Sequence, residues 1–272
     1  MIHCSLGKAA VANRWSKDIL PSILADPSAL VPFMLIGFAA QLVDGALGMA
    51  YGQISSTLLI SLGVPPAAAS AGVHTAETFT TCVSAISHTA HRNVDWRLFG
   101  RLVIPGVIGG VLGAYVLTTV DATVAKPIVL TYLAALGLYL FYRGVMHRHT
   151  ERTPRVVSPL GLIGGFLDAA GGGGWGGIVT SNLLVQGSNP RKTIGTVNTA
   201  EFFLTVTISA TFLATLGWEA FTVATAGLLI GGVLAAPFGA WIAKRVNPDR
   251  LLTFVGALLT LTSCYGLYRA LM

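Results

Sequence analysis

The sequence predicts an all-α, polytopic membrane protein made of two repeated halves, and three observations predict it. Apolar residues make up 53% of the chain and charged residues 10%, the reverse of the roughly 25% charged expected of a soluble domain. Several apolar runs are long enough to cross a hydrocarbon core of about 30 Å. The chain also repeats itself: Asp44, Gly48, Gly52 and Thr75-Ala76-Glu77 recur at a constant offset as Asp168, Gly172, Gly176 and Thr199-Ala200-Glu201. The same register pairs Tyr51 with Trp175, His74 with Asn198, and Gly63 and Pro66 with Gly187 and Pro190. Apolar copies that each carry carboxylates and a glycine-broken segment point to a secondary transporter whose site lies where the copies meet.

In chain order, residues 1–30 read as a surface tail, 31–145 as the first repeat, 146–157 as a basic linker and 158–272 as the second repeat. The tail carries Lys8, Arg14 and Lys17 but no apolar core followed by a small-residue cleavage site, so no cleaved signal peptide is expected. Each repeat opens on an element too short or too broken for an ordinary span. In the first it is 31–43, then Asp44 to Gly48, then 49–62; in the second, 158–167 runs into Asp168 and the glycine-rich stretch from Gly171 to Gly177. Each glycine costs about 1 kcal/mol relative to alanine in a helix interior, so unwinding is expected at both places. Backbone freed at membrane depth must be buried in protein or line a wet cavity, which makes the two breaks the pointer to the pathway.

Six crossings are expected, at 67–87, 98–119, 124–142, 193–216, 219–243 and 250–271, so each half is a broken or re-entrant helix pair plus three transmembrane helices. The ends of the halves match as well: Ile108 to Leu112 returns as Ile230 to Leu234, and Tyr139, Tyr142, Arg143 as Tyr265, Tyr268, Arg269. Gly106, Gly109, Gly110, Gly113, Gly227 and Gly231 in these segments read as sites of close helix contact. If each broken pair dips in and returns, the halves are inverted. The loops 88–101, 143–159, 187–192 and 244–250 then share one side with about twelve of the 17 Lys and Arg, which makes it cytoplasmic. Counting the pair as one crossing gives about eleven against six, so the rule favours inversion by a small margin, and the basic tail argues against it.

Composition excludes several classes. A net charge of +6 suggests nucleic acid, but the bases sit in short loops beside apolar segments, so no nucleic-acid partner is expected. Cys4, Cys82 and Cys264 form no CxxC or Cys-His spacing and read as packing residues. The run 171–177 follows no strand and is not a dinucleotide fingerprint. There is no GxSxG and no HExxH, His88 and His91 read as interfacial, and Trp96 and Trp218 as interfacial anchors. Neither a cofactor nor a metal is expected.

Asp44, Glu77, Asp168 and Glu201 carry the functional case. A carboxylate at the bilayer centre costs about 2.5 to 3.5 kcal/mol on insertion scales, so matching acids need partners, water or protons. Glu77 and Glu201 sit inside long apolar segments, where burial favours the neutral acid and permits proton uptake near neutral pH. The competing reading makes the acids structural pins, a role that Asp44 and Asp168 suit because each directly precedes a break. His74, Thr75, Asn198 and Thr199 can donate to an anion; against that, buried polar groups are commonly satisfied internally and threonines back-bond one turn earlier. The half helices 49–62 and 175–186 would turn free N–H groups toward a small oxyanion. Gly48, Tyr51, Gly52, Gln53, Gly172, Gly173, Gly174, Trp175, Gly176 and Asn182 would surround it.

On these residues the chain resembles the sulfite exporter TauE/SafE family, also called the toluene sulfonate uptake permease family. The resemblance is carried by the apolar segment reaching Asp44-Gly45 and Gly48, by Pro65 to Glu77, by the glycine-rich element after Asp168 and by Asn198-Thr199-Ala200-Glu201. It covers nearly everything after the tail. It implies two repeated halves moving a small sulfur-containing anion such as sulfite, a sulfonate, thiosulfate or sulfoacetate, in several members with proton coupling. The resulting expectation is a multi-pass carrier of the bacterial inner membrane, with the anion between the breaks and Glu77, Glu201, Asp44 and Asp168 handling the proton. Its partners are the anion and the lipid bilayer, with a homodimer left open. Two alternatives stand beside it: a membrane-embedded enzyme or assembly partner using the acids, and a Na+-coupled or cation pathway.

Overall fold

The computed structural model describes residues 27–146, 154–218, 223–243 and 248–272, all helical or in connecting turns. The tail before residue 27 and the centre of the linker lie outside these residues. In the first half, α1 is Val31–Leu47, α2 Tyr51–Ser61, α3 Pro66–Ala90, α4 Trp96–Thr119 and α5 Ala122–Val145. In the second, α6 is Ser158–Gly171, α7 Gly176–Val185, α8 Pro190–Leu216, α9 Val223–Ala243 and α10 Pro248–Leu271. Helix starts follow local chemistry. Asp95 Oδ1 accepts from the N–H groups of Arg97 and Leu98 at 3.0 and 3.1 Å, Asp121 accepts from Thr123, and Asn189 from Lys192. Prolines stand in the first turns of α3, α6 and α8, where their missing N–H has no partner to lose.

Helix direction can be read from which residues meet. Gly137 of α5 lies against Thr260 of α10, and Gly144 against Thr253, so these repeat-equivalent helices are antiparallel. The equivalent pair α3 and α8 is antiparallel too: His74 faces Phe212, Thr81 faces Thr205 and Ser84 faces Asn198. By contrast α9 runs parallel to both α1 and α3, since Gly227 and Gly231 follow Phe33 and Met34, while Thr225 and Gly232 follow Gly72 and Thr80. In the same way α4 runs parallel to α6 and α8, with Gly161 on Leu102, Phe166 on Gly113, Leu204 on Gly106 and Ile208 on Gly110. It follows that α1 and α3 point the same way, so α2 must bring the chain back between them. The two halves also interlock, because α1 packs on α9 of the other half and α6 on α4. Glycines make that approach possible, as expected for Gly106, Gly109, Gly110, Gly113, Gly227 and Gly231, each with the other helix's atoms where a Cβ would stand.

Among the described residues five stretches are long and apolar enough to cross a membrane: Ser28–Gly45, Trp96–Thr119, Ala122–Val145, Arg191–Leu216 and Asp249–Leu271, while the expected crossing 219–243 lies partly outside the described residues. Four of these were expected, and Ser28–Gly45 corrects the reading of 31–43 as too short. The helix continues through Asp44 to Leu47, and the break comes at 48–50. The expected crossing 67–87 is helical throughout in α3 but is too polar to count as an apolar span; its Ser70, His74, Glu77 and Thr81 are buried within the protein. Among the cysteines, Cys264 is exposed and so is not a packing residue.

The described parts of three of the loops expected to share one side are joined by hydrogen bonds. Arg191 Nε donates to Asn93 Oδ1 at 2.6 Å, Lys192 Nζ to the Arg92 carbonyl at 2.7 Å, and the N–H groups of Arg155 and Val156 to Gln186 Oε1 at 2.9 Å. Arg92, Arg97, Arg101, Arg143, Arg155, Arg191, Lys192 and Arg250 lie at this end, and Lys126 and Arg269 at the other.

Candidate functional site

Both breaks are built on the same plan. In the first, Gly48 closes α1 in the left-handed region (φ 66°), its N–H returning to the Asp44 carbonyl at 2.6 Å. In the second, Gly172 closes α6 (φ 75°) and Gly173 N–H reaches the Asp168 carbonyl at 2.8 Å. Asp168 then turns its side chain to the start of the next half helix. Its Oδ1 accepts from Trp175 N–H at 2.8 Å, and Glu77, from a neighbouring helix, sets its Oε1 against Gly52. The Trp175 N–H, one of those expected to receive a substrate anion, is therefore held by one of the protein's own carboxylates.

The two breaks touch. A Cβ on Gly52 would stand 2.8 Å from Gly173 Cα and 3.0 Å from Glu77 Oε1, and one on Gly176 would stand 2.8 Å from Met49 Cβ. Ser56 donates to the Gly172 carbonyl and Tyr132 to that of Gly173. Several expected substrate donors are also spent internally. Thr75 and Thr199 donate to the carbonyls of Ala71 and Gly195, each at 2.7 Å, and Asn182 to Ile178 at 2.7 Å. The Tyr51 hydroxyl donates to the Leu228 carbonyl at 3.1 Å and the Trp175 indole to Val197 at 3.2 Å. These residues shape the breaks rather than present donors, since a hydroxyl or indole proton already given to a carbonyl is not available to a ligand. Gln53 is the exception: it is buried beside Gly177, and its Nε2 has no partner among the described residues.

His74 ties the halves together. Its Nε2 lies 3.1 Å from Asp168 Oδ2 and its Nδ1 2.8 Å from the Ser70 carbonyl, while Ser70 Oγ donates to the Ala169 carbonyl at 2.7 Å. Carbonyls only accept, so Nδ1 carries a proton. The matching residue Asn198 makes a looser contact, Nδ2 to Ser84 Oγ at 3.4 Å, and stands beside Gly48.

That looser side opens into a cavity of about 270 Å³, lined by Gln41, Asp44, Gly45 and Leu47 of α1 with Gly48 after it, by Thr80, Thr81, Ser84 and His88 of α3, and by Ile194, Asn198 and Glu201 of α8. It brings together Asp44, Gly48, Asn198 and Glu201, but not Asp168, Glu77 or the glycines after Asp168. Glu77 is buried elsewhere with Oε2 unpartnered, yet all four acids lie within electrostatic reach of one another. Gln41, Ser84 and His88 were missed from sequence. His88 is 14 residues after His74 on the same helix, four turns along the same face, and that spacing was the available signal. Among the described residues no three His, Cys, Asp or Glu converge as metal ligands.

A family model described as Sulfite exporter TauE/SafE matches residues 33–266. The chain is also similar to a protein named "Probable membrane transporter protein YtnM" from Bacillus subtilis (strain 168), 42% identical over 243 residues that cover 86% of this chain and 81% of the relative. No solved structure matches.

Proposed function

This chain belongs to the sulfite exporter TauE/SafE family of membrane transporters, and on that footing we propose that it is a proton-coupled secondary carrier for a small sulfur-containing anion in the bacterial inner membrane. The observation that carries the proposal is the placing of internal carboxylates at the half-helix N-termini, with Asp168 Oδ1 on the Trp175 N–H at 2.8 Å and Glu77 Oε1 against Gly52. Helix N-termini favour anions. A substrate oxyanion and an ionised Glu77 compete for one place, and a proton on Glu77 resolves the competition by making it a neutral, weaker acceptor. Anion entry and proton uptake then favour each other, which by linkage gives symport. Glu201 and Asp44 both line the cavity and are the acids that a proton entering from that side meets. The antiparallel pairs α3/α8 and α5/α10 support inverted halves, and the touching breaks support rocking of one half against the other.

The test is flux of labelled sulfite and of a short sulfonate into proteoliposomes under an imposed pH gradient. Uptake driven by the gradient is expected in the wild type and lost in Glu77→Gln and Glu201→Gln. Flux that keeps its pH dependence in both variants makes the glutamates structural, and absence of flux for both anions removes the substrate class.

A further inference from the structure

We propose that Ser70, His74, Asp168 and Phe212 form the closed gate of a second access cavity, the repeat-related counterpart of the open one, through which substrate reaches the other face of the membrane. The proposal rests on the transport reading above and names the residues that alternate. It starts from contacts that come in reciprocal pairs. Thr81 and Thr205, 124 positions apart, face each other with their hydroxyl oxygens at 3.4 Å. The same offset relates the two contacts between the breaks, Gly52 on Gly173 and Gly176 on Met49. Reciprocal contacts are the mark of a two-fold relation, and here its axis passes between Thr81 and Thr205. Because α3 and α8 are antiparallel, that axis crosses both helices and exchanges the two ends of the molecule.

Applied to the open cavity, the exchange points to a second place. Asp44 and Gly48 become Asp168 and Gly172, Asn198 and Glu201 become His74 and Glu77, and Ile194 and His88 become Ser70 and Phe212. The second set is packed shut. His74 Nε2 lies 3.1 Å from Asp168 Oδ2, Ser70 Oγ donates to the Ala169 carbonyl at 2.7 Å, and the Phe212 ring stands 6.4 Å from that of His74. Ser70, His74, Ile208 and Phe212 are all fully buried.

In the open cavity the corresponding partners have parted. Asn198, the counterpart of His74, directs its Nδ2 to Ser84 Oγ at 3.4 Å instead of to Asp44. One polar pair is made and its counterpart is not, as in a carrier at rest with one side open. The change of access then trades His74–Asp168 for Asn198–Asp44. The bias toward the observed state has a source in the side chains. Phe212 and Ile208 close one gate with apolar bulk, where the other side carries His88 and Ser84.

The experiment exchanges the two donors. In the full-length protein freed of its native cysteines, Phe212→Cys or its counterpart His88→Cys supplies a single thiol, and its reaction with a membrane-impermeant maleimide is timed from each face of sealed vesicles. His88→Cys is expected to react from the face that carries the connection 91–95, and Phe212→Cys slowly and from the opposite face. Combining His74→Asn with Asn198→His is expected to speed Phe212→Cys at least about tenfold and to slow His88→Cys. Labelling follows the fraction of molecules open on that side, and about tenfold is the scale of one hydrogen bond to a charged group moved from one gate to the other. Ser70→Ala, which leaves both donors and both aspartates in place, is expected to shift the two rates in the same sense by a smaller factor. Parallel acceleration at both positions marks loss of packing and overturns the proposal, as do unchanged rates or reaction of both thiols from one face. Sulfite flux in the same vesicles separates the two readings. Opposed rate changes without flux reject the sulfur-anion assignment alone, and gradient-driven flux with unchanged rates rejects the gate alone.

Discussion

His74 and Asn198 occupy matching places and hold their neighbours very differently. His74 bridges α3 to Asp168, and the Asp168 carboxylate takes both the imidazole and the Trp175 N–H. Removing the imidazole leaves a buried acid short of a donor, which costs about 1–3 kcal/mol. His74→Ala is therefore expected to lower the thermal unfolding midpoint in detergent, while His74→Asn, which restores the second repeat's residue and one donor, recovers part of the loss. Equal midpoints for wild type and His74→Ala would show that the bridge adds nothing to stability. The pairing across halves was not legible in sequence, because the repeat aligns His74 with Asn198 and says nothing of Asp168. What sequence did show was that both aspartates precede a break, and the capping of Trp175 by Asp168 follows from that position.

At the scale of elements, the crossing of the two breaks is set by the absence of side chains. A methyl group on Gly52 would press on the Gly173 backbone, which cannot yield as a side-chain end can. Gly52→Ala is expected to destabilise by about 1–3 kcal/mol and to abolish gradient-driven flux. Gly100→Ala is the contrast: in α4 nothing lies within 4 Å of the added methyl, and alanine gains about 1 kcal/mol of helix propensity there. Its unfolding midpoint should be unchanged or higher, and its flux unchanged; matching losses in the two variants would mean that the crossing is not the sensitive place. Glycine content located both breaks to within a few residues. Sequence could not show that the breaks meet and fill one another's space, since contact between residues 52 and 173 is a property of tertiary packing. The anion was accordingly placed between the breaks, while the open space lies on one side, beside Asp44 and Asn198.

For the whole molecule, charge and direction agree. The connections 91–95, 154–157 and 186–189 are joined by hydrogen bonds at the end that carries most of the described bases, which the positive-inside rule places in the cytoplasm. In a cysteine-free background, Asn93→Cys is expected to be labelled by a membrane-impermeant maleimide only after the inner face is exposed, and Thr123→Cys from the outer face of intact cells. The reverse pattern would invert the orientation. Fold class was legible because apolar length and repetition are sequence properties, and four of the six expected crossings are among the five apolar spans of the described residues. The span α3 was expected as an apolar run, whereas its buried Ser70, His74, Glu77 and Thr81 leave it too polar to count as one. The interlock of α1 with α9 and of α6 with α4 was hidden, and it bears on how the protein is made. When residue 146 leaves the ribosome, α1 has no neighbour for the stripe that will meet Gly227 and Gly231, and Asp44 and Glu77 stand in the bilayer beside an unfinished partner surface. The first half must wait, within lipid or in the care of the insertion machinery, until the last third of the chain arrives. Synthesis and assembly of this transporter are therefore separated in time, and quality control has an interval in which to act.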